Sequence, residues 1–413
     1  MNKYIVSASS CLLYLLPFAL LTGPFLPDLF ICIIGISTTF IIIKEKKIQY
    51  FKNKYFIFFI LFCFYLIARS ILSKSPLFSL ESSLFYFRFG LFAVGVWYLI
   101  ENNNKLIKYF SILFLLTFIF ALLDGYYQYF NQVSLFGIEH SGVRLSLPFN
   151  DKLILGGYLA RLFPLLIAVL IYSFDFKKSY IFIILLILIF TDVLIFISGE
   201  RTALGLLFLS TVFIIIFLSK YKKIRFFTFM VSLVIMAILA LYNPAIKERN
   251  IDYTINQISG EGSGEIKMFS NVHHNYLLLS WQMFIDKPLV GQGPKMFRIL
   301  CNDIKYNINE IKDACSTHPH NTFLQLLAET GIVGLLFILI ISFKLVQLIY
   351  SHSFLYIRKK EYLLSDFQIC IIACFAVTLW PLIPSQNFFN NWISIIYFLP
   401  VGFYLHSIYT KNS

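Results

Sequence analysis

The chain has 413 residues, of which 59% are hydrophobic, 18% aromatic and only 13% charged. Soluble domains carry about 25% charged residues, so a water-soluble core cannot hide this much apolar surface. The net charge of +13 does not point to nucleic acid, because the basic residues sit in short loops between apolar blocks, where a positive-inside bias accounts for them.

Apolar blocks of roughly bilayer-spanning length begin near Tyr4, Pro27, Tyr55, Ser83, Leu106, Leu153, Ser179, Thr202, Phe226, Gly331, Ser365 and Asn391. The first block lacks a small-x-small cleavage site and reads as a retained helix. The expected fold is therefore an all-α polytopic membrane protein of about 12 transmembrane helices. One set of loops is rich in lysine and arginine: Lys44 to Lys54, Lys105 and Lys108, Lys177 and Lys178, Lys220 to Arg225, and Arg358 to Lys360. These loops alternate with poor ones at Thr22 to Asp28, Ser73 to Ser82 and Pro384 to Asn390. The rich set belongs in the cytoplasm, and Lys3 and Lys411 place both termini there. The layout is then residues 1–242 for helices 1–9 with short loops, 243–322 for a large periplasmic loop between spans 9 and 10, and 323–413 for helices 10–12.

Two segments exceed a short loop, Asp124 to Lys152 and Asn243 to Asn321, and both fall on the outward side by this count. A loop as long as the second usually carries function. It contains a flexible Gly/Ser stretch, Ser259 to Gly264, and apolar periodicity for short helices around Tyr276 to Phe284 and Pro288 to Leu300. Five of the 7 cysteines fall in apolar blocks, whereas Cys301 and Cys315 share the loop. In an oxidising compartment those two either form a disulfide or remain two thiols.

Charge within a span is costly and marks candidate sites. Arg69, Arg88, Arg161 and the Glu200-Arg201 turn all fall toward the outward face. Long side chains at span ends also snorkel. Several guanidinium groups on one face suit phosphate oxygens. The histidines form a second group: His273 and His274 are adjacent, His318 and His320 flank Pro319, and His140 lies in the first outward segment. Their spacing is poor for zinc, since an i, i+2 pair around proline is not a helical metal motif. No phosphate-binding glycine loop and no nucleophile elbow occurs, which leaves an ATP-driven pump or a serine hydrolase unsupported.

The segment His318-Pro319-His320-Asn321, nine residues, then Gly331-Ile332-Val333-Gly334 resembles the signature of the O-antigen ligase and polymerase superfamily. Pro288-Leu289-Val290-Gly291-Gln292-Gly293 is similar to a second family segment, and Ser198 to Leu204 to a third, its arginine-containing turn. Val143-Arg144-Leu145 through Asn150 and Gly156-Gly157-Tyr158 resemble the family's first periplasmic loop. One departure stands out. The family's second loop arginine, shortly before the Pro-Leu-x-Gly segment, is missing from Asn271-Val272-His273-His274-Asn275-Tyr276. Either a histidine replaces it, or Arg249 or Arg298 reaches in.

The resemblance implies a glycosyltransferase at the periplasmic face of the bacterial inner membrane, independent of cofactor and metal. Its donor would be a glycan on undecaprenyl diphosphate and its acceptor a lipid A-core sugar hydroxyl. His320 is the expected general base and Arg201 the expected diphosphate ligand, with Arg88, Arg144, His318, Asn321, His273 and His274 as expected substrate-binding residues. Three other readings remain: an O-antigen polymerase joining repeat units, a protein O-oligosaccharyltransferase, and a non-enzymatic transporter of lipid-linked glycan. A transporter would predict internal pseudo-symmetry and paired broken helices, and neither is visible.

Overall fold

The computed structural model describes residues 2–139, 144–149, 152–174, 178–259, 271–307 and 315–410. His140, Asn150, Lys177, Lys411 and the glycines of the Gly/Ser stretch lie outside these residues. Among the described residues the chain is helical, with one isolated bridge between Val133 and Glu139. The helices are α1 Asn2–Ala19, α2 Phe25–Lys44, α3 Lys54–Ile71, α4 Pro76–Ser83, α5 Phe87–Asn102, α6 Leu106–Asn131, α7 Leu155–Phe174, α8 Lys178–Ile197, α9 Arg201–Phe217, α10 Lys222–Tyr242, α11 Pro244–Lys247, α12 Tyr253–Ser259, α13 Asn271–Asp286, α14 Phe297–Leu300, α15 Thr322–Lys359, α16 Asp366–Thr378 and α17 Asn391–Tyr409. Each apolar block of the sequence falls on one of them. Eight described helices are long and apolar enough to cross a membrane, with α4 and α5 taken together, and α9, α16 and most of α8 are shorter apolar helices.

Apolar residues run right round α7, and a helix of that kind belongs inside a bundle. It packs against α16, α6, α9 and α8, and its side chains from Leu155 to Ile171 are buried. A second group joins α5 to α17 and α2. The later part of α15 shows the reverse, with Leu339, Ile340, Phe343, Val346 and Tyr350 exposed. Such a face suits lipid rather than water.

Charges assigned to span ends turn out to be held by protein. Arg69 and Arg161 are 5% and 7% exposed. Arg69 donates through Nε and Nη2 to the Gly291 carbonyl at 2.9 and 2.7 Å, and Arg161 donates to the Gly157 carbonyl at 3.1 Å. Neither snorkels. Arg225, expected in a basic loop, lies inside α10 and forms a two-bond ion pair with Asp192 of α8 at 2.7 and 2.9 Å. Thr211 accepts from the same guanidinium, and Ser232 donates to the carboxylate at 2.9 Å. This pair ties α10 to the α8–α9 hairpin whose tip is Arg201.

The long loop also differs in detail from its pattern. Its Tyr276 to Phe284 stretch lies within α13, but Pro288 to Leu300 is mostly turn, with only Phe297–Leu300 helical. Pro288 and Pro294 lack amide protons, and Gly291 and Gly293 take φ of +65° and +114°, so a continuous helix cannot form there. Helix α15 is broken as well. Gly331 has φ +63° and ψ −169°, a region open essentially to glycine alone. The first helical piece thus ends at Thr330, and His320 and Gly331 do not belong to one unbroken helix.

Candidate functional site

The two glycine segments interlock. Gln292 and Gly293 donate backbone N–H groups to the Ala328 and Glu329 carbonyls at 2.9 and 2.7 Å, and Ile332 and Val333 donate to Pro288 and Leu289 at 2.9 and 3.1 Å. The approach is so close that a Cβ on Gly291 would stand 2.4 Å from the Thr330 nitrogen, and one on Gly331 2.4 Å from the Leu289 carbonyl. Arg69 holds this junction from α3, and the Tyr65 hydroxyl donates to the Thr330 carbonyl. The chain after His320 is therefore fixed to the loop by backbone bonds that pack only where side chains are missing.

His320 sits just before α15, at φ +54°. Asn321 caps the helix: its Oδ1 accepts from Phe323 and Leu324 at 3.0 and 3.1 Å, and its Nδ2 donates to the Pro381 carbonyl at 2.7 Å. Ser385 donates its N–H to the His320 carbonyl at 2.8 Å. The α16–α17 connection thereby grips the histidine turn. Gln325 and Glu329, on one face of the first piece of α15, extend the grip. Gln325 donates to Glu329 and to Asn387 and accepts from the Phe388 N–H, while Glu329 accepts from the Phe297 N–H of α14 at 3.0 Å. The Cys301–Cys315 disulfide, with Cα atoms 5.1 Å apart, anchors the same turn from upstream.

Three imidazoles meet here. The His318 and His320 ring centres are 4.1 Å apart, and those of His273 and His320 5.6 Å. Tyr276, one turn along α13 from His273, stacks on His320 at 5.5 Å. His274 is exposed, since consecutive helical residues point about 100° apart. The His318 Nε2 faces the Ser385 carbonyl at 3.3 Å, so it carries the proton, and Nδ1 accepts from the Thr317 hydroxyl at 2.9 Å. His320 Nε2 faces the Ser316 hydroxyl at 3.3 Å. Burial, then the neighbouring His320, hold the His318 imidazole down at about 3. Burial, then His273, hold His320 at about 4. Burial and the Arg201 charge push His273 below its ordinary value. All three are thus neutral near pH 7, and a small cleft opens at His273 and His320, lined also by Leu277, Pro319, Asn321, Leu324 and Pro384.

Arg201 begins α9 and reaches toward this cleft, close enough for its charge to act on His273. Arg249 and Tyr253 act on Arg201 in turn. His273 and Arg249 are therefore both neighbours of the Arg201 charge. Arg298 acts electrostatically on His318 and Glu329.

Arg144 is drawn to the same hairpin tip by a backbone bond from Leu145 to the Ser198 carbonyl at 3.2 Å. It pairs with Glu200 across 3.6 Å and donates to the Leu153 carbonyl at 2.6 Å. Burial drives the Glu200 carboxyl up to about 7 against the pull of Arg144. Arg88 stands apart: it pairs with Asp28 at 3.1 Å, donates to the Phe85 carbonyl and lies over the Phe89 ring. Among the described residues no bond joins it to His320 or Arg201, and no group of three or more metal-binding side chains occurs.

Sequence reasoning missed Tyr276, Ser316, the Pro381–Ser385 grip and the Gln325–Glu329 pair. Only the last left a signal, two polar residues four apart in an apolar run. No curated protein gives a match to the chain. Residues 184–339 match a family model described as O-antigen ligase, a stretch that takes in Arg201, His273, Gly291, His320 and Gly331. The match covers the hairpin, the loop and the histidine turn, and it supports placing this membrane protein in the O-antigen ligase and polymerase superfamily.

Proposed function

We propose that the chain transfers a glycan from undecaprenyl diphosphate to a sugar hydroxyl of lipid A-core at the periplasmic face of the inner membrane, as an O-antigen ligase does. The observation that carries this reading is the neutral His320 imidazole, fixed between Asn321 and Tyr276, beside a His273 that feels the Arg201 charge. An imidazole free of its proton can accept one from an acceptor hydroxyl. The hydroxyl oxygen bonds to the anomeric carbon, the bond from that carbon to the diphosphate oxygen breaks, and the proton passes to His320. Charge then grows on the departing diphosphate, where Arg201 stabilises it. The leaving group is good, so no step needs ATP. His318, with both nitrogens bonded to protein, orients its neighbour. Asn321 does so through the helix cap. Arg144 and His273 assist with the donor in this reading, while Arg88 and His274 lie outside the cleft. The disulfide supports an oxidising, periplasmic setting.

The test is transfer by purified protein from a lipid-diphosphate-linked glycan. His320→Ala and Arg201→Ala should each abolish it, and full activity in His320→Ala would refute the base assignment. Surface polysaccharide from a deletion strain then reads out the acceptor. Accumulated lipid-linked polymer with no core-linked polymer supports a ligase. Single-unit caps would instead make the chain a polymerase.

A further inference from the structure

The strip after α10 is unused by this chemistry. Asn243 caps α11, and the chain runs through a π-helical turn, Glu248–Asp252, into α12. A π turn widens the helix and re-aims the side chains around it, and such turns are frequent at functional sites. Here the strip faces the Glu200-Arg201 tip. Arg249 Nε donates to the Gly199 carbonyl at 3.2 Å, and the Gln257 amide oxygen accepts from Arg201 at 3.4 Å. Tyr253 stands midway, four residues from each, and acts electrostatically on Arg201 in the sense opposite to Arg249.

The charges are unbalanced. Neither Arg201 nor Arg249 has a carboxylate partner among the described residues, because Glu200 pairs with Arg144 and Asp252 with Lys247. Two guanidinium groups brought together without a carboxylate call for an external anion. Tyr253 is 51% exposed beside them. A tyrosine there presents a rigid apolar face at small entropic cost, with a polar tip. The C–H face of a sugar ring held next to a diphosphate fits that surface.

We propose that Tyr253 is the stacking platform for the donor's first sugar, the one bonded to the diphosphate, with Arg249 joining Arg201 on the phosphate oxygens. This rests on the reading of Arg201 as the diphosphate seat. It makes α12 a specificity element: the lipid diphosphate alone gains nothing from Tyr253, whereas a sugar-bearing one does.

The experiment uses the full-length protein in lipid nanodiscs with two probes, undecaprenyl diphosphate and the same lipid carrying one hexosamine. Tyr253→Ala should weaken the sugar-bearing probe roughly three- to tenfold, the scale of one aromatic contact, and leave the bare lipid unchanged. Tyr253→Phe should bind both as the parent does. Arg249→Ala should weaken both probes alike, with partial recovery in Arg249→Lys. Thermal unfolding confirms that each variant folds. If Tyr253→Ala weakens both probes equally or neither, the platform is refuted and the tyrosine is an interfacial anchor. If Arg201→Ala leaves both probes unchanged, the diphosphate seat itself is refuted, a result that Tyr253 variants cannot mimic.

Discussion

Acidification from pH 7 to pH 5 should loosen the histidine turn, and His318 should carry most of the effect. In the folded chain its imidazole is held at about 3, against about 6.5 for an unperturbed histidine. Through the window between those values the unfolded segment binds a proton that the folded one does not, so stability rises with pH and is lost on acidification. At pH 5 about 1.5 pH units of that window have been crossed, which at about 1.36 kcal/mol per unit costs roughly 2 kcal/mol. The side chain is buried, at 7% exposure, so solvent screening takes little from this figure. His320 and His273 act in the same direction with less burial. The assay is amide hydrogen exchange of peptides covering 315–330 at the two pH values, corrected for intrinsic rates. Wild type should open about thirtyfold more readily at pH 5, from the same linkage, and His318→Gln should show a much flatter response whatever its starting stability. An equal pH dependence in the two proteins would refute the argument.

Three further outcomes follow from the geometry. Replacing both Cys301 and Cys315 by serine should cost about 3 kcal/mol on the chain-entropy model for a loop of this size, read by thermal unfolding, and should lower transfer by freeing the turn upstream of His318. Asp192→Ala leaves Arg225 buried and uncompensated, a loss of about 3–5 kcal/mol, whereas Asp192→Leu with Arg225→Met should recover most of it in the same unfolding assay. The pH profile of transfer should separate two limbs. For kcat/KM the limb reports free His320 near pH 4, and for kcat it moves upward because a bound diphosphate favours the protonated imidazole. A kcat limb below the kcat/KM limb would contradict the proximity of His320 to the anion.

Much of the molecule was legible because its solvent is legible. Every backbone N–H and C=O inside a bilayer must be satisfied locally, so apolar runs such as Leu155 to Phe174 and Asn391 to Tyr409 had to become helices. The short motifs also announced their residues, since Pro319 before Asn321 marks a helix start and Arg201 stands at an apolar boundary. What the one-dimensional pattern could not carry was pairing. Arg69 and Arg161 read either as site residues or as snorkelling side chains, yet Arg69 is buried on a carbonyl of a distant segment and Arg161 on one of the preceding turn of its own helix. Arg225 read as a loop charge until Asp192, on another helix, captured it. Arg88 read like Arg201, and only the packing of α5 against α2 gave it to Asp28. Gly331 read only as a motif glycine. Its positive φ comes from the Pro288–Gly291 backbone lying against it, a contact between segments some forty residues apart. By itself the sequence determined a helical membrane chain with a histidine at the end of a long loop and an arginine at a turn between two apolar helices. Only the tertiary structure decided that His273 and Arg249 gather beside them, because contacts between distant segments depend on shape complementarity that hydrophobic periodicity does not encode.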